Sequence, residues 1–357
     1  MSISRVVRKR LPVGLASYSF PVSCGYARRE GAEPLANPFR AYDLIALAEQ
    51  YELGGIEIPL DALLPDLEPS TLDQLKTALD ARQMTLVVDG PIVDVDYLTR
   101  MVPLAARAGA KVMRAVVSSI LEGARHTISQ ATGNMKGWNT LTTGKVTTAS
   151  NWQDYLAEIR RRVTAVLPVL KAHHIILALE NHQDCTSDEL LALCDIDPDY
   201  IGVTFDVVNP LAVAEEPFAF ARKLGGHIKD VHIKDYTIRA TPSGYRLVRA
   251  AIGLGVIDWP AMIGLLKQLA PNAYFNIELA AIYARHIKLF ETEWWSSFPA
   301  RDIRDVQPVL QYMAERALPD SVPWQTPWER GESVEATHQY EMGQLGQSVA
   351  YLKAILQ

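Results

Sequence analysis

IILALENHQDCTSDELLALCDIDPDYIGVTFDVVNP, residues 175–210, holds two short apolar runs that each close on an acid, Glu180 in LALEN and Asp206 in VTFDV. Runs of this length, buried on both faces and separated by an amphipathic segment, are the pattern of a βα repeat and a parallel sheet. The repeat extends in both directions. Upstream lie VGLASYS from Val13, GGIEIPL from Gly54, TLVVDG from Thr85 and VMRAVV from Val112; downstream lie DVHIKDY from Asp230 and YFNIEL from Tyr274. Between them AYDLIALAEQYEL, STLDQLKTALDARQ, DYLTRMVPLAARAGA, WQDYLAEIRRRVTAVLPVLKAH and DWPAMIGLLKQLA read as helices. Ser70 or Thr71 and Asp258 are expected to start helices, and Gly109 to stop one. The pattern predicts an α/β protein, a (β/α)8 TIM barrel over residues 11–300 with a C-terminal helical extension over 301–357.

The strands recur about every 30 residues except at three longer segments. These run from about Phe20 to Arg40, Ser118 to Asn151 and Thr237 to Trp259, and all leave C-terminal strand ends, where a barrel builds its site. They are expected to form lids and substrate-binding walls. Beyond the barrel, a helix is expected near Val306 to Ala317, then the linker PDSVPWQTPWERG. A final helix from about Ser333 carries Tyr340, Leu345, Val349, Leu352 and Ile355 along one stripe. That stripe would dock on its own barrel or on a second subunit. The aromatic density around Trp324 and Trp328 favours a homo-oligomer.

Length and composition narrow the classes of function. With 48% hydrophobic residues in 357, the chain can bury one large core. A net charge of −6, from 41 acids mixed among 35 bases, shows no face built to displace counterions from nucleic acid. No apolar run of about 18 residues occurs, and the basic start MSISRVVRKRLP leads into no signal-like segment, so no membrane partner is expected. The cysteines Cys24, Cys185 and Cys194 are odd in number and lack zinc spacing, which fits a cytoplasmic protein without disulfides.

Glu180, Asp206, His232 in VHIKD and Glu278 in NIELA close four consecutive strands. Three carboxylates converging at one barrel mouth would repel each other and resist burial, and a divalent cation removes both penalties. Three carboxylates and an imidazole suit a hard ion, Mn²⁺ first, with Mg²⁺, Co²⁺, Zn²⁺ or Fe²⁺ as alternatives. Strand alternation points His182 and Lys234 into the same mouth, as substrate-binding residues. Lys234 could neutralise an oxyanion, or Asp235 could orient it. Arg114 and Glu57 face either substrate or an inner ion pair; His227 is expected to be structural, and His173 and His174 to lie on the surface.

With LALENH, GVTFDVVNP, VHIKD, GLGVIDW and NIEL in place, residues from about Leu11 to Ala300 resemble the xylose-isomerase-like TIM barrel superfamily, in its sugar isomerase and epimerase branch. The resemblance implies that Glu180, Asp206, His232 and Glu278 bind the metal and that Glu180 and Glu278 are the catalytic pair that moves protons. It implies an isomerase or epimerase acting on a carbohydrate with a keto group, through an enediolate. Gly253 and Gly255 match the family's glycine-containing stretch and are expected to bend the chain toward Asp258. The chain departs from the ketose 3-epimerases, which have histidine three residues after the metal-binding aspartate and arginine six after the metal-binding histidine. Here stand Asn209, a further substrate-binding candidate, and Ile238, with Arg239 one place along. A lyase or decarboxylase on a 3-keto sugar, keto-glycoside or keto sugar acid would use the same site. An abasic-site endonuclease shares this barrel, but its metal cluster needs more histidines at strand ends than a chain with eight in total supplies. A non-catalytic subunit, or an enzyme working beside a small partner subunit, would use Trp294, Trp295 and the last helix as a contact surface.

Overall fold

The computed structural model of the chain describes residues 10–31, 33–126, 149–280, 282–319 and 321–356. Seven parallel strands follow one another around a barrel: β1 (Leu11–Ala16), β2 (Leu53–Ile58), β3 (Thr85–Ile92), β4 (Val112–Val116), β5 (Ile176–Glu180), β6 (Ile201–Asp206) and β7 (Ile228–Ile233). A hairpin then intervenes, β8 (Asp235–Thr241) and β9 (Gly244–Ala250), before β10 (Tyr274–Ile277) closes the barrel between β7 and β1. Register at the seam pairs Gly14 with Asn276 and Asn276 with His232. The expected (β/α)8 barrel is the observed fold.

The helices are α1 (Ala41–Gln50), α2 (Leu60–Leu63), α3 (Pro69–Asp80), α4 (Val95–Arg107), α5 (Trp152–His173), α6 (Ser187–Cys194), α7 (Pro217–Leu224), α8 (Trp259–Leu269), α9 (Thr292–Trp295), α10 (Ile303–Arg316) and α11 (Val334–Leu356). Local chemistry sets their ends. In α4, Asp94 accepts the Tyr97 N–H at 2.9 Å, Leu98, Met101, Val102 and Ala105 bury one face, and Gly109 at φ +95° ends the helix region. The start of α3 differs from expectation. Pro69 occupies its first turn, where a missing N–H costs nothing, so Ser70 and Thr71 fall inside the helix and Thr71 bonds back to Asp66.

Of the three long segments, the third is a sheet rather than a loop. DYTIRAT and GYRLVRA pair antiparallel as a hairpin, and β11 (Arg285–Ile287) and β12 (Ala317–Leu318) join it in the order β11-β9-β8-β12. The first segment buries Phe20, Val22, Cys24, Tyr26 and Ala27. Of the second, Ser118, Ser119 and Leu121 line the mouth, and residues 127–148 lie outside the described residues.

Helix α11 docks on its own barrel. Leu345, Val349 and Leu352 enter the same core as the strands, whereas Tyr340 and Ile355 of the expected stripe are half-buried. Glu341, itself buried, accepts the N–H groups of Val22 and Ser23 at 2.9 Å each, and Ser348 accepts that of Ile252 at 3.0 Å. Trp324 and Trp328 each lie under an arginine of the same chain, Arg246 at 4.2 Å and Arg29 at 4.8 Å. Among the described residues, no helix is long and apolar enough to cross a membrane.

Candidate metal and substrate site

The parallel register delivers Glu180 from the end of β5, Asp206 from the end of β6, His232 from β7 and Glu278 from the residue after β10 to one point at the C-terminal mouth. All four are buried. Ligand atoms of Glu180, Asp206 and His232 lie within 4.8 Å of one another. The Nδ1 of His232 faces Glu180 Oε1 at 3.6 Å and Glu278 Oε2 at 3.9 Å, while its Nε2 meets Glu57 Oε1 at 2.8 Å from the opposite side. Thus Glu57 forms an inner pair and orients the imidazole, as a carboxylate behind a metal-binding histidine does. A second group, Glu57, Asp230 and His232, has the same spacing one layer deeper.

Two buried atoms here have no hydrogen-bond partner, Asp206 Oδ1 and His232 Nδ1, while Glu278 Oε2 is ion-paired with Lys234. Orphaned donors and acceptors of this kind are costly, and their convergence on one point fits a divalent cation. The electrostatics agree. Burial pushes Asp206 up to about 7, with Lys234 opposing and Glu278 and Glu180 adding to the rise. Burial also acts to raise Glu180, but Arg114, His182 and His232 hold it well below the usual carboxylate range. For His232 burial favours the neutral ring, yet Glu57 and Glu180 raise it well above the ordinary histidine value.

The remaining candidates sit around this point and line one cleft. Arg114 lines it and also pairs with Glu180, with Asp89 behind at 3.9 Å. His182 lines it half-buried; burial, opposed by Glu180 and helped by Arg114, Lys234 and Arg285, pushes the ring down to about 4, so it is neutral at pH 7. Asn209 donates to Asp206 Oδ2 at 2.8 Å and accepts from Gln183 at 3.2 Å. Lys234 points inward as alternation requires, but its ammonium is held between Asp206 and Glu278.

One expectation is corrected. Asp235 does not orient Lys234; its Oδ1 accepts the N–H groups of Tyr236, Val256 and Ile257, and its Oδ2 those of Gly253, Gly255 and the Trp259 indole. It knots GLGVIDW to the foot of the hairpin. Both glycines are needed there: a Cβ on Gly255 would lie 2.0 Å from Asp235 Oδ1, and Gly253 has φ +86° and a Cβ there would lie 2.5 Å from the Tyr351 ring. His227 is half-buried before β7, and His173 and His174 are exposed at the far end of α5. Residues not singled out from sequence also shape the mouth. Asp89 lies within β3 behind Arg114, and it follows an apolar run in VVDG, so the signal existed; Tyr236 of β8 and Arg285 of β11 reach the cleft only through the inserted sheet.

Known proteins resemble this chain in sequence and in fold. A segment of 114 residues is 26% identical to the uncharacterized protein YihM of Escherichia coli K12, spanning 32% of this chain and 35% of that one, about a third of each. Among solved structures, L-ribulose 3-epimerase superposes with a TM-score of 0.53 at 14% identity over 96% of this chain and 95% of that one. A xylose isomerase-like TIM barrel protein from Mycobacterium smegmatis in complex with magnesium gives 0.53 at 16% identity, covering 86% and 98%. The probable 3-DHS dehydratase AsbF of Bacillus anthracis gives 0.51 at 13%, covering 76% and 93%. At such identities these structures share the fold. The family model described as xylose isomerase-like TIM barrel matches residues 45–293, the greater part of the sequence, and the chain belongs to that family.

Proposed function

We propose that the protein is a divalent-metal-dependent isomerase or epimerase of a keto-sugar, removing a proton beside a carbonyl to give an enediolate and returning it elsewhere. The observation that carries this reading is the convergence of Glu180, Asp206, His232 and Glu278 with orphaned buried atoms on Asp206 and His232. These four would hold the ion, with Mn²⁺ as the first choice. Once bound, a divalent cation supplies Lewis acidity that stabilises negative charge developing on the substrate carbonyl oxygen.

The chain's own groups account for the proton movements. Glu180 and Glu278 stand on β5 and after β10, with β7 and β6 between them around the barrel, so a substrate seated in the cleft presents opposite faces to them. Arg114 keeps Glu180 ionised and therefore able to accept a proton. Lys234 holds one oxygen of Glu278 and one of Asp206, setting the orientation of both. Neutral His182 can hydrogen-bond a substrate hydroxyl as donor or acceptor.

A lyase or decarboxylase outcome is the second reading. It is favoured by position 209, where an asparagine engaged with Asp206 stands in place of a proton-carrying histidine. Both readings share the first proton or CO₂ loss and the same metal. The test is elemental mass spectrometry on untagged protein, followed by deuterium incorporation into L-ribulose, D-fructose and D-tagatose in heavy water. About one equivalent of metal and exchange in the wild type, with exchange reduced at least ~10²-fold in Glu180→Gln and Glu278→Gln that retain metal, is the expected result. Wild-type exchange in either variant, or no uptake of any of the five ions, overturns the reading.

A further inference from the structure

We infer that the natural substrate carries an anionic group, a carboxylate or a phosphate, and that Arg285 holds it. The inference rests on the proposed function for what else occupies the cleft. Three cations line that cleft, and they differ in what they are committed to. The guanidinium of Arg114 is paired with Glu180, and the ammonium of Lys234 is held between Asp206 and Glu278. Arg285 is in neither position. It is 4% exposed, lines the same cleft, and its Nε and Nη1 have no hydrogen-bond partner. No ion pair among the described residues includes it. Its surroundings are aromatic: it covers the Tyr283 ring at 4.5 Å and lies near Tyr236. The nearby acid, Glu122, spends an oxygen on the His286 N–H at 2.9 Å.

Tyr283 satisfies part of the guanidinium, but a buried one with two nitrogens unsatisfied and no ion-pair partner is unfavourable, so such groups persist where a ligand completes them. Arginine's planar fork of donors is suited to a carboxylate or phosphate. The position fits selection rather than proton transfer. Arg285 belongs to β11 of the inserted sheet, not to a barrel strand, and it reaches the mouth beside the loops that follow β4 and β5, where the neighbouring His286 N–H donates to Glu122 and the Glu122 N–H to Gln183. A substrate with its carbonyl near Glu180 and Glu278 would extend its charged end toward it.

Isothermal titration calorimetry tests this without turnover, in buffer free of added divalent ions so that chelation plays no part. The probes are D-gluconate, sorbitol 6-phosphate and neutral sorbitol. Wild-type protein is expected to bind at least one of the two anions ~tenfold or more tightly than sorbitol, the tighter anion identifying carboxylate or phosphate. Arg285→Gln should abolish that preference and leave sorbitol affinity unchanged, with circular dichroism confirming its fold. Arg285→Lys, which keeps the charge and loses the fork, should retain part of it. Equal affinity for anions and sorbitol, failure of both anions to bind, or a preference that survives in the variants overturns the inference. If metal uptake and deuterium exchange succeed while the anion preference is missing, only the role of Arg285 falls. If the preference is present while metal uptake and exchange fail, the proposed chemistry falls and the anion subsite stands.

Discussion

Replacing Asp235 by asparagine changes one oxygen into an amide NH₂ and should unlatch the loop that joins the hairpin to α8. The two oxygens accept six N–H groups, at 3.0 Å from Tyr236, 2.9 Å from Val256, 3.4 Å from Ile257, 3.1 Å from Gly253, 3.2 Å from Gly255 and 2.9 Å from the Trp259 indole. Whichever way the amide turns, three donors then face a donor. A buried donor left unpaired costs ~1–3 kcal/mol, so three cost at least ~3 kcal/mol, and relaxation of the exposed loop caps the loss near ~5 kcal/mol. With an unfolding entropy of ~2.1 cal/mol/K per residue over 357 residues, that loss lowers the melting temperature by about 4–7 °C. Differential scanning calorimetry of Asp235→Asn measures it. Asp258→Asn is the control, because Asp258 caps α8 through the Ala261 N–H at 3.1 Å and asparagine caps as well as aspartate. A drop below ~1 °C, or one equal to the control's, refutes the account of Asp235 as the knot of this loop.

Two further predictions concern buried acids. Glu57→Gln removes the charge behind His232 Nε2, and competition with a fluorescent chelator should find metal affinity lowered ~10–100-fold with one equivalent still bound at saturation; unchanged affinity would deny Glu57 its orienting role. Burial pushes Asp184 up to about 7 despite hydrogen bonds from Ser118 at 2.6 Å and the Cys185 N–H at 2.8 Å. The native state therefore keeps a proton that the unfolded chain, near ~3.9, has lost, so this group's contribution to stability declines as pH rises from about 4 to about 7 and is level above. Thermal melts at about pH 5 and about pH 8 should show that decline in the wild type and a smaller one in Asp184→Asn; equal pH slopes would contradict it.

The barrel was legible because each of its strands is a short apolar run, and the metal candidates because an acid or imidazole follows directly on such a run. That rule would also have reached Asp89. What it could not reach depends on partners distant in sequence. Lys234 obeys strand alternation, yet its charge is claimed by Asp206 and Glu278, which only the closed barrel brings to it. Asp235 was assigned by adjacency to Lys234, whereas five of its six donors lie 18 to 24 residues onward in the glycine-containing loop. The hairpin lies where the βα period calls for a crossover, and its two strands are defined by pairing with each other. The short helices α6 and α7, eight residues each, are too brief for a 3.6-residue pattern; the Thr186 and Glu189 capping box and the Glu216 cap before Pro217 were their available marks. Arg285 had no local mark, because β11 is defined by pairing with β9.

The hydrogen bonds from Val22 and Ser23 to Glu341 join residues 319 and 318 apart in the chain, and so impose an order in time as well as space. On a ribosome adding ~5–20 residues per second, the segment after the first strand waits roughly 15–60 s for the helix that fixes it. Meanwhile β10 has emerged and the barrel can close. The scaffold that gathers the four strand-end side chains is therefore assembled before the segment leading out of β1 receives its anchor.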